Sequence, residues 1–212
     1  MMVKQGVAGT LAFDVDAPLT GVQYAEFVKA GYSTAIRYIP RTPQLIRGNL
    51  TGAEIGAVLS AGLGLGVVQH VSEDNWTPTD ELGSDYGSYA ASYLSAIGYP
   101  QGGIAFLDLE MVNRAATSNQ IIAYCTQWFS KVKAGGFLPA LYVGWQTGLS
   151  SQQLYDLPFI VYWRGYNADI PVAKRGCCLL QKPQQTLNGI TYDPSTVQED
   201  ALGGLPAWVY PS

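Results

Sequence analysis

Along the first two-thirds of the chain, short strand-like runs alternate with amphipathic, helix-like stretches, and this alternation limits the fold more than any other feature. Residues 10–16 (TLAFDVD), 33–39 (STAIRYI), 63–71 (LGLGVVQHV), 103–110 (GIAFLDLE), 138–144 (LPALYVG) and 158–165 (PFIVYWRG) read as strands. Residues 19–31, 50–62, 83–98 and 118–136 read as helices. In 50–62, Thr51 has Glu54 three residues on and a closing Gly62, the signature of a capped helix with a glycine stop. In 118–136, Ile121, Ile122, Cys125, Trp128, Phe129 and Val132 fall on one helical face, which makes Trp128 a core residue. Repeated strand–helix units call for right-handed crossovers and a parallel sheet. After residue 165 the helical rhythm fades, leaving short strands near 176–182 and 189–193. The expected fold class is α/β: one modified TIM-type barrel over residues 1–212, with about five βα units followed by three strands with little helix.

Hydrophobic residues make up 48% of the chain and charged residues 13%, with a formal net charge of −4. No basic stripe is present to neutralise phosphates, so nucleic acid is not an expected partner. No apolar run reaches the roughly 20 residues a membrane span needs. The start, MMVKQGVAGTLAFDVD, lacks the pattern of a signal peptide, which leads to the expectation of synthesis in the cytoplasm without a secretion signal. Cys125, Cys177 and Cys178 are odd in number and match no zinc spacing, so buried free thiols are expected.

Two strand ends carry pairs of acids: Asp14 with Asp16, and Asp108 with Glu110. Residues two apart on a strand share a face, with Cα atoms about 6.5–7 Å apart. The C-terminal strand ends of a β/α barrel are where active sites are built. Carboxylates held close together raise at least one pKa, which supplies a proton donor near neutral pH. One protonated and one ionised carboxyl are the equipment for cleaving a glycosidic bond. Two other uses stay open: capping or pairing, with Asp16 beside Pro18 and a helix start, and a Mg²⁺ or Ca²⁺ site involving His70. No ligand spacing supports the metal, so none is expected.

Arg37 reads as sharing a face with Ala35 and Ile39, entering the barrel to support an acid or touch substrate, since a buried arginine needs a partner. His70, the only histidine, fits a satisfied surface position better than a catalytic one. Tyr142, Trp145, Trp163 and Tyr166 fall at or just past strand ends, either to stack on sugar rings or to close the barrel mouth. Trp76 is a candidate for the groove wall.

FDVD on the first of these strands and FLDLE on the fourth resemble glycoside hydrolase family 25, the lysozyme-type muramidases. They resemble more closely the allied glycoside hydrolase-like domain family of unknown function. GYSTAIRYI, LTGAEIGAVLSAGLGLGVVQ, DYGSYAASYLSAIGYP, KAGGFLPALYVG, VYWRGY and LLQK…GITYDP extend the likeness over nearly the whole chain. The resemblance implies Glu110 as catalytic acid, Asp108 as the partner that stabilises the intermediate, and Asp14 as the acid that orients or tunes them. It implies Asp193 as the late-strand acid, although muramidases carry a segment closer to DLN there. Gln181 resembles a glutamine that hydrogen-bonds substrate or a catalytic acid. Asp16, Arg37, His70, Tyr142 and Trp163 complete the expected substrate-binding set.

The expected function is a glycosidase acting on a β-linked amino-sugar polymer, with peptidoglycan favoured and no cofactor. Its place of action would be the bacterial cell wall, reached through an unidentified export or lysis route. The competing expectations are a non-catalytic glycan-binding barrel that keeps the pocket, and a barrel hydrolase for another polysaccharide.

Overall fold

The computed structural model describes residues 1–45, 48–70 and 73–212. Its elements in chain order are β1 (Met2–Gln5), β2 (Leu11–Val15), α1 (Gly21–Lys29), β3 (Tyr32–Ile39), α2 (Gly52–Ser60), β4 (Gly64–Gln69), α3 (Asp80–Ala96) and β5 (Ile104–Leu109). They continue with α4 (Ser118–Ala134), β6 (Leu138–Val143), α5 (Ser151–Asp156), β7 (Tyr162–Arg164), β8 (Leu179–Gln181), β9 (Gln185–Leu187), β10 (Ile190–Val197) and β11 (Ala207–Tyr210). The last residue of the expected strand 63–71 lies outside the described residues.

Strands β2 to β8 pair in sequence order, all parallel. β10 then closes the barrel by pairing antiparallel with both β8 and β2. Five βα units followed by three strands is the expected plan. The departure is direction: the closing strand runs backwards, so its N-terminal half, not its C-terminal half, reaches the mouth.

Alternation along each strand sorts side chains between two layers. Ala12, Ile36, Ile104, Phe106, Ala140, Trp163, Leu179 and Val197 fill the barrel interior. Phe13, Ala35, Ile39, Leu107 and Leu141 face outward and pack with helix residues such as Tyr24, Phe27, Val58 and Trp128. Both faces of these parallel strands are therefore apolar, as covered parallel sheets require. Helices α3 and α4 approach closely because Gly83 and Gly87 have no side chain. A Cβ on Gly83 would lie 2.2 Å from the Tyr124 carbonyl oxygen, and one on Gly87 would lie 2.8 Å from that of Trp128.

Helix starts follow the sequence signals. Thr20 with Gln23 and Thr117 with Gln120 form reciprocal capping boxes at α1 and α4. At α2 the Thr51 hydroxyl accepts from the Glu54 N–H at 3.2 Å, but the Glu54 carboxylate turns away to serve Arg37. Strands β1, β9 and β11 are additions to the expected elements, and α5, which completes the fifth expected βα unit, lies outside the stretches that read as helices. β1 and β11 form an antiparallel ribbon joined to β4 through Val209 and Leu65, and Trp208 of that ribbon plugs the base of the interior. All three cysteines are free and buried, as expected.

Candidate active site

The mouth of the barrel holds a cavity of about 340 Å³ whose lining includes Asp108, Glu110, Asp193, Tyr38, Tyr142, Trp163, Tyr166 and Gln184. β5 supplies the first two carboxyls. Ile104, Phe106 and Asp108 alternate into the interior, and Glu110 follows one step beyond the strand end. Glu110 has room because residue 144, at the end of β6, is glycine: a Cβ there would sit 2.2 Å from Glu110 Oε2. A second hollow, lined by Asp14, Asp16, Gly48, Thr191 and Tyr192, adjoins the first and shares Tyr38, Gln184 and Asp193 with it.

Asp14 lies at the centre of a closed hydrogen-bond set. Tyr38 Oη donates to Asp14 Oδ1 at 3.1 Å and Gln181 Nε2 donates to Asp14 Oδ2 at 3.0 Å. The Gln181 amide is itself fixed, because its Oε1 accepts from Tyr142 Oη at 3.0 Å and from the Tyr166 N–H at 3.1 Å. Gly165 makes room for this arrangement, since a Cβ there would lie 2.5 Å from Tyr142 Oη. On the opposite strand Asp193 is the direct partner of Asp14 in the β10–β2 register. Reversal of β10 is what puts this acid at the mouth.

Burial drives the electrostatics. Asp14 is 2% exposed, and desolvation, reinforced by the charge of Asp193, raises its carboxyl to about 8. Donation from Gln181 and Tyr38 opposes the rise without cancelling it. Burial also raises Glu110, with Asp74 and Asp193 adding repulsion and the Trp145 N–H pulling the other way. Asp193 is raised by desolvation, opposed by a hydrogen bond from Gln184. A proton is thus held in this cluster at neutral pH, as acid catalysis requires.

The structure brings Asp14, Asp108, Glu110, Asp193, Tyr142, Trp163 and Gln181 together, and corrects the placement of three others. Arg37 does not enter the barrel. Its side chain points outward, where Nε meets Glu54 Oε1 at 2.8 Å, Nη1 donates to the Val15 carbonyl and Nη2 donates to the Gly48 carbonyl at 2.9 Å. The sequence reading failed because both faces of β3 are buried, so hydrophobicity does not reveal which parity faces the lumen. His70 lines neither hollow. It pairs with Asp16 at 3.1 Å and lies against the Tyr38 ring at 4.4 Å, and burial lowers its pKa. Asp16 borders the second hollow with its side chain 71% exposed, so it is separated in environment from Asp14 despite sharing its face.

The aromatics also divide. Trp163 and Tyr142 are buried, with Trp163 edge-on to Phe106 and to Tyr142 and donating to Ser195 Oγ at 3.1 Å. They form a cavity floor rather than an open stacking face. Tyr166 and Trp145 are exposed, but only Tyr166 lines the cavity. Trp76 is buried behind the site, donating from Nε1 to the Glu110 carbonyl at 2.9 Å. Trp128 is core, as expected. Sequence reasoning missed Tyr38, Lys182 and Gln184 as lining residues. The parity that sends Arg37 outward is the signal that sends Tyr38 in.

Among the described residues no group of three or more His, Cys, Asp or Glu side chains is arranged to hold a metal ion. No helix among them is long and apolar enough to cross a membrane.

Residues 25–188 match the model of the Rv2525c-like, glycoside hydrolase-like domain. A comparison with curated proteins finds no significant match. Among solved structures, the Mycobacterium tuberculosis Tat-secreted protein Rv2525c, in complex with HEPES, is 16% identical with a TM-score of 0.69, covering 92% of this chain and 98% of that one. The catalytic domain of endolysin ply40 from bacteriophage P40 of Listeria monocytogenes is 14% identical with a TM-score of 0.64, covering 91% and 94%. The modular autolysin LytC of Streptococcus pneumoniae, in complex with a synthetic peptidoglycan ligand, is 11% identical with a TM-score of 0.62, covering 94% of this chain and 46% of that one. At these identities the structural likeness is one of fold. The family model spans most of the chain, and the protein belongs to the Rv2525c-like, glycoside hydrolase-like domain family.

Proposed function

We propose that the mouth cavity is a glycosidase active site that hydrolyses a β-linked amino-sugar polymer, with peptidoglycan the favoured substrate. The observation that carries this reading is the convergence of Asp108, Glu110 and Asp193 on one 340 Å³ cavity at the barrel mouth. Glu110 is the general acid: its carboxyl lines the cavity, burial raises its pKa and so favours the protonated form, and its part is to give a proton to the bridging oxygen. Asp108, two residues earlier on the same face, stabilises the positive charge that develops at the sugar. Water completes the hydrolysis. Asp14 does not line this cavity and has both oxygens engaged by Tyr38 and Gln181. Its part is to orient those two side chains while holding a proton of its own.

Action at the cell wall is supported by fold likeness to a phage endolysin domain, an autolysin and a Tat-secreted protein. The site therefore works outside the cytoplasm, after export or lysis. The test is digestion of purified peptidoglycan by the wild type and by Glu110→Gln, with soluble products identified by mass spectrometry. New reducing ends at N-acetylmuramic acid should appear with the wild type and fall by about 10²–10⁴-fold in the variant. Equal release by a folded Glu110→Gln protein would remove Glu110 from this role. Tight glycan binding with no release by either protein would favour a binding barrel instead.

A further inference from the structure

Just outside the cavity, the rim beside Glu110 is a stiffly built frame. Residues 144–147, which follow β6, run alongside residues 111–114, which follow β5. The Met111 N–H donates to the Trp145 carbonyl at 2.9 Å, the Val112 N–H to the Gln146 carbonyl at 3.0 Å, and Gln146 Nε2 to the Val112 carbonyl at 2.8 Å. Arg114 Nε donates to Gln146 Oε1 at 2.9 Å. On the other flank the Asn75 N–H donates to the Met111 carbonyl at 2.9 Å and the Asn113 N–H to the Trp76 carbonyl at 2.8 Å. Met111 and Gln146 both occupy the left-handed region, with φ of 53° and 57°, a conformation that costs energy and is kept where the surroundings enforce it.

What this frame presents is an indole. Trp145 is 43% exposed, whereas Trp76, Trp128, Trp163 and Trp208 are buried. Its backbone N–H is bonded to the Glu110 carboxyl, yet the residue does not line the cavity. A large, flat, apolar group carried on a fixed backbone has little freedom left to lose when a ligand covers it. The C–H face of a β-linked pyranose is flat and apolar and matches it in shape. In the reaction proposed above, Asp108 stabilises charge on the sugar inside the cavity, and Glu110 protonates the bridging oxygen. The departing sugar lies on the far side of that oxygen, past Glu110, where residue 145 stands.

Resting on that reading, we infer that Trp145 forms a second sugar-binding subsite, outside the cavity, that stacks on the unit that leaves. The ligand class is a glycan chain that spans cavity and rim, with Trp145 as the residue that favours a chain over a single sugar.

Trp145 is the one exposed tryptophan of five, so quenching of intrinsic fluorescence by acrylamide reads whether it is covered. The Glu110→Gln protein keeps an acceptor for the Trp145 N–H and serves as the background, to prevent cleavage during binding. The probes are soluble glycan strands from peptidoglycan and, separately, N-acetylglucosamine hexamer. Saturation with a probe should lower the quenchable signal toward that of the Trp145→Ala protein. By titration calorimetry, Trp145→Ala should weaken binding at least about tenfold, and Trp145→Tyr should recover part of the loss. A probe that binds without shielding Trp145, or a folded Trp145→Ala protein that binds as tightly, overturns the inference and leaves the cavity reading standing. Binding of neither probe defeats both. Product release by the wild type from the same glycans tests hydrolysis separately: shielding and a tenfold loss without release uphold the subsite and defeat the hydrolase.

Discussion

Arg37 and Asp14 occupy neighbouring strands, are almost equally hidden from water, and face opposite sides of one barrel wall. Outside, the 0%-exposed guanidinium of Arg37 has a carboxylate partner in Glu54 and carbonyl acceptors at Val15 and Gly48. Tyr24 Oη and the Leu19 N–H complete the set by donating to Glu54 Oε1 at 2.7 and 3.1 Å. Inside, Asp14 has hydrogen-bond donors but faces a second acid, Asp193, and holds its proton. Burial of a charge is tolerated when a partner and hydrogen bonds answer it, and otherwise the group neutralises. The outer site is complete without a ligand. The inner one has its hydrogen bonds but answers burial by keeping a proton, the condition on which the proposed function draws.

The sharpest way to break this contrast is to take the cation from the outer site. Arg37→Met leaves Glu54 buried and unpaired and should cost roughly 3–5 kcal/mol by urea denaturation, whereas the double change Arg37→Met with Glu54→Met should recover much of that loss. If the single change is nearly neutral, the outer pair is not the structural clamp described.

At the inner site the expected effect depends on pH. The folded-state carboxyl of Asp14, at about 8, stands above the ordinary 3.8, so the folded chain keeps a proton that the unfolded chain releases. Stability therefore falls as pH rises between those two values and levels off above the upper one. The slope approaches about 1.4 kcal/mol per pH unit for one proton. Asp14→Asn should remove this slope. Denaturation midpoints of the two proteins, compared from mildly acidic to mildly alkaline pH, should diverge steadily in favour of the variant. Parallel curves would mean that Asp14 is ionised in the fold.

The smallest effect expected is that of Tyr24→Phe. It removes one of several donors to Glu54 and should cost about 1 kcal/mol, with no change in glycan binding. A change in binding would link the outer site to the mouth and blur the distinction between them.

How much of this was legible in the sequence depends on whether the signal is local. The apolar run that ends in Asp108 and Glu110 announces a mouth-facing pair, because a strand alternates and its end is where a barrel is open. The capped helices are equally local. Arg37 was misread because the contrast that fixes parity on a half-exposed strand is missing where both faces are buried. The ribbon of β1 and β11 was missed because MVKQ and AWVY are short and their partners are far apart in the chain. The reversal of β10 left no trace in local pattern, since a strand's side-chain periodicity is the same in either direction. Gln181 and Asp193 were found through family resemblance, and the Tyr38–Asp14–Gln181–Tyr142 connection needed coordinates.

The reversed strand also has a consequence for rebuilding the rim. In β2 to β7 the segment that shapes the mouth comes after the strand, so loop exchange with other barrels is a matter of splicing downstream of it. For β10 the order is inverted: the β9–β10 hairpin that leads into Asp193 comes before it in the chain. A graft meant to reshape that side of the opening must be cut upstream, between Gln181 and Asp193. A transplant designed by the ordinary barrel rule, placed after Val197, would alter the base and leave the mouth as it was.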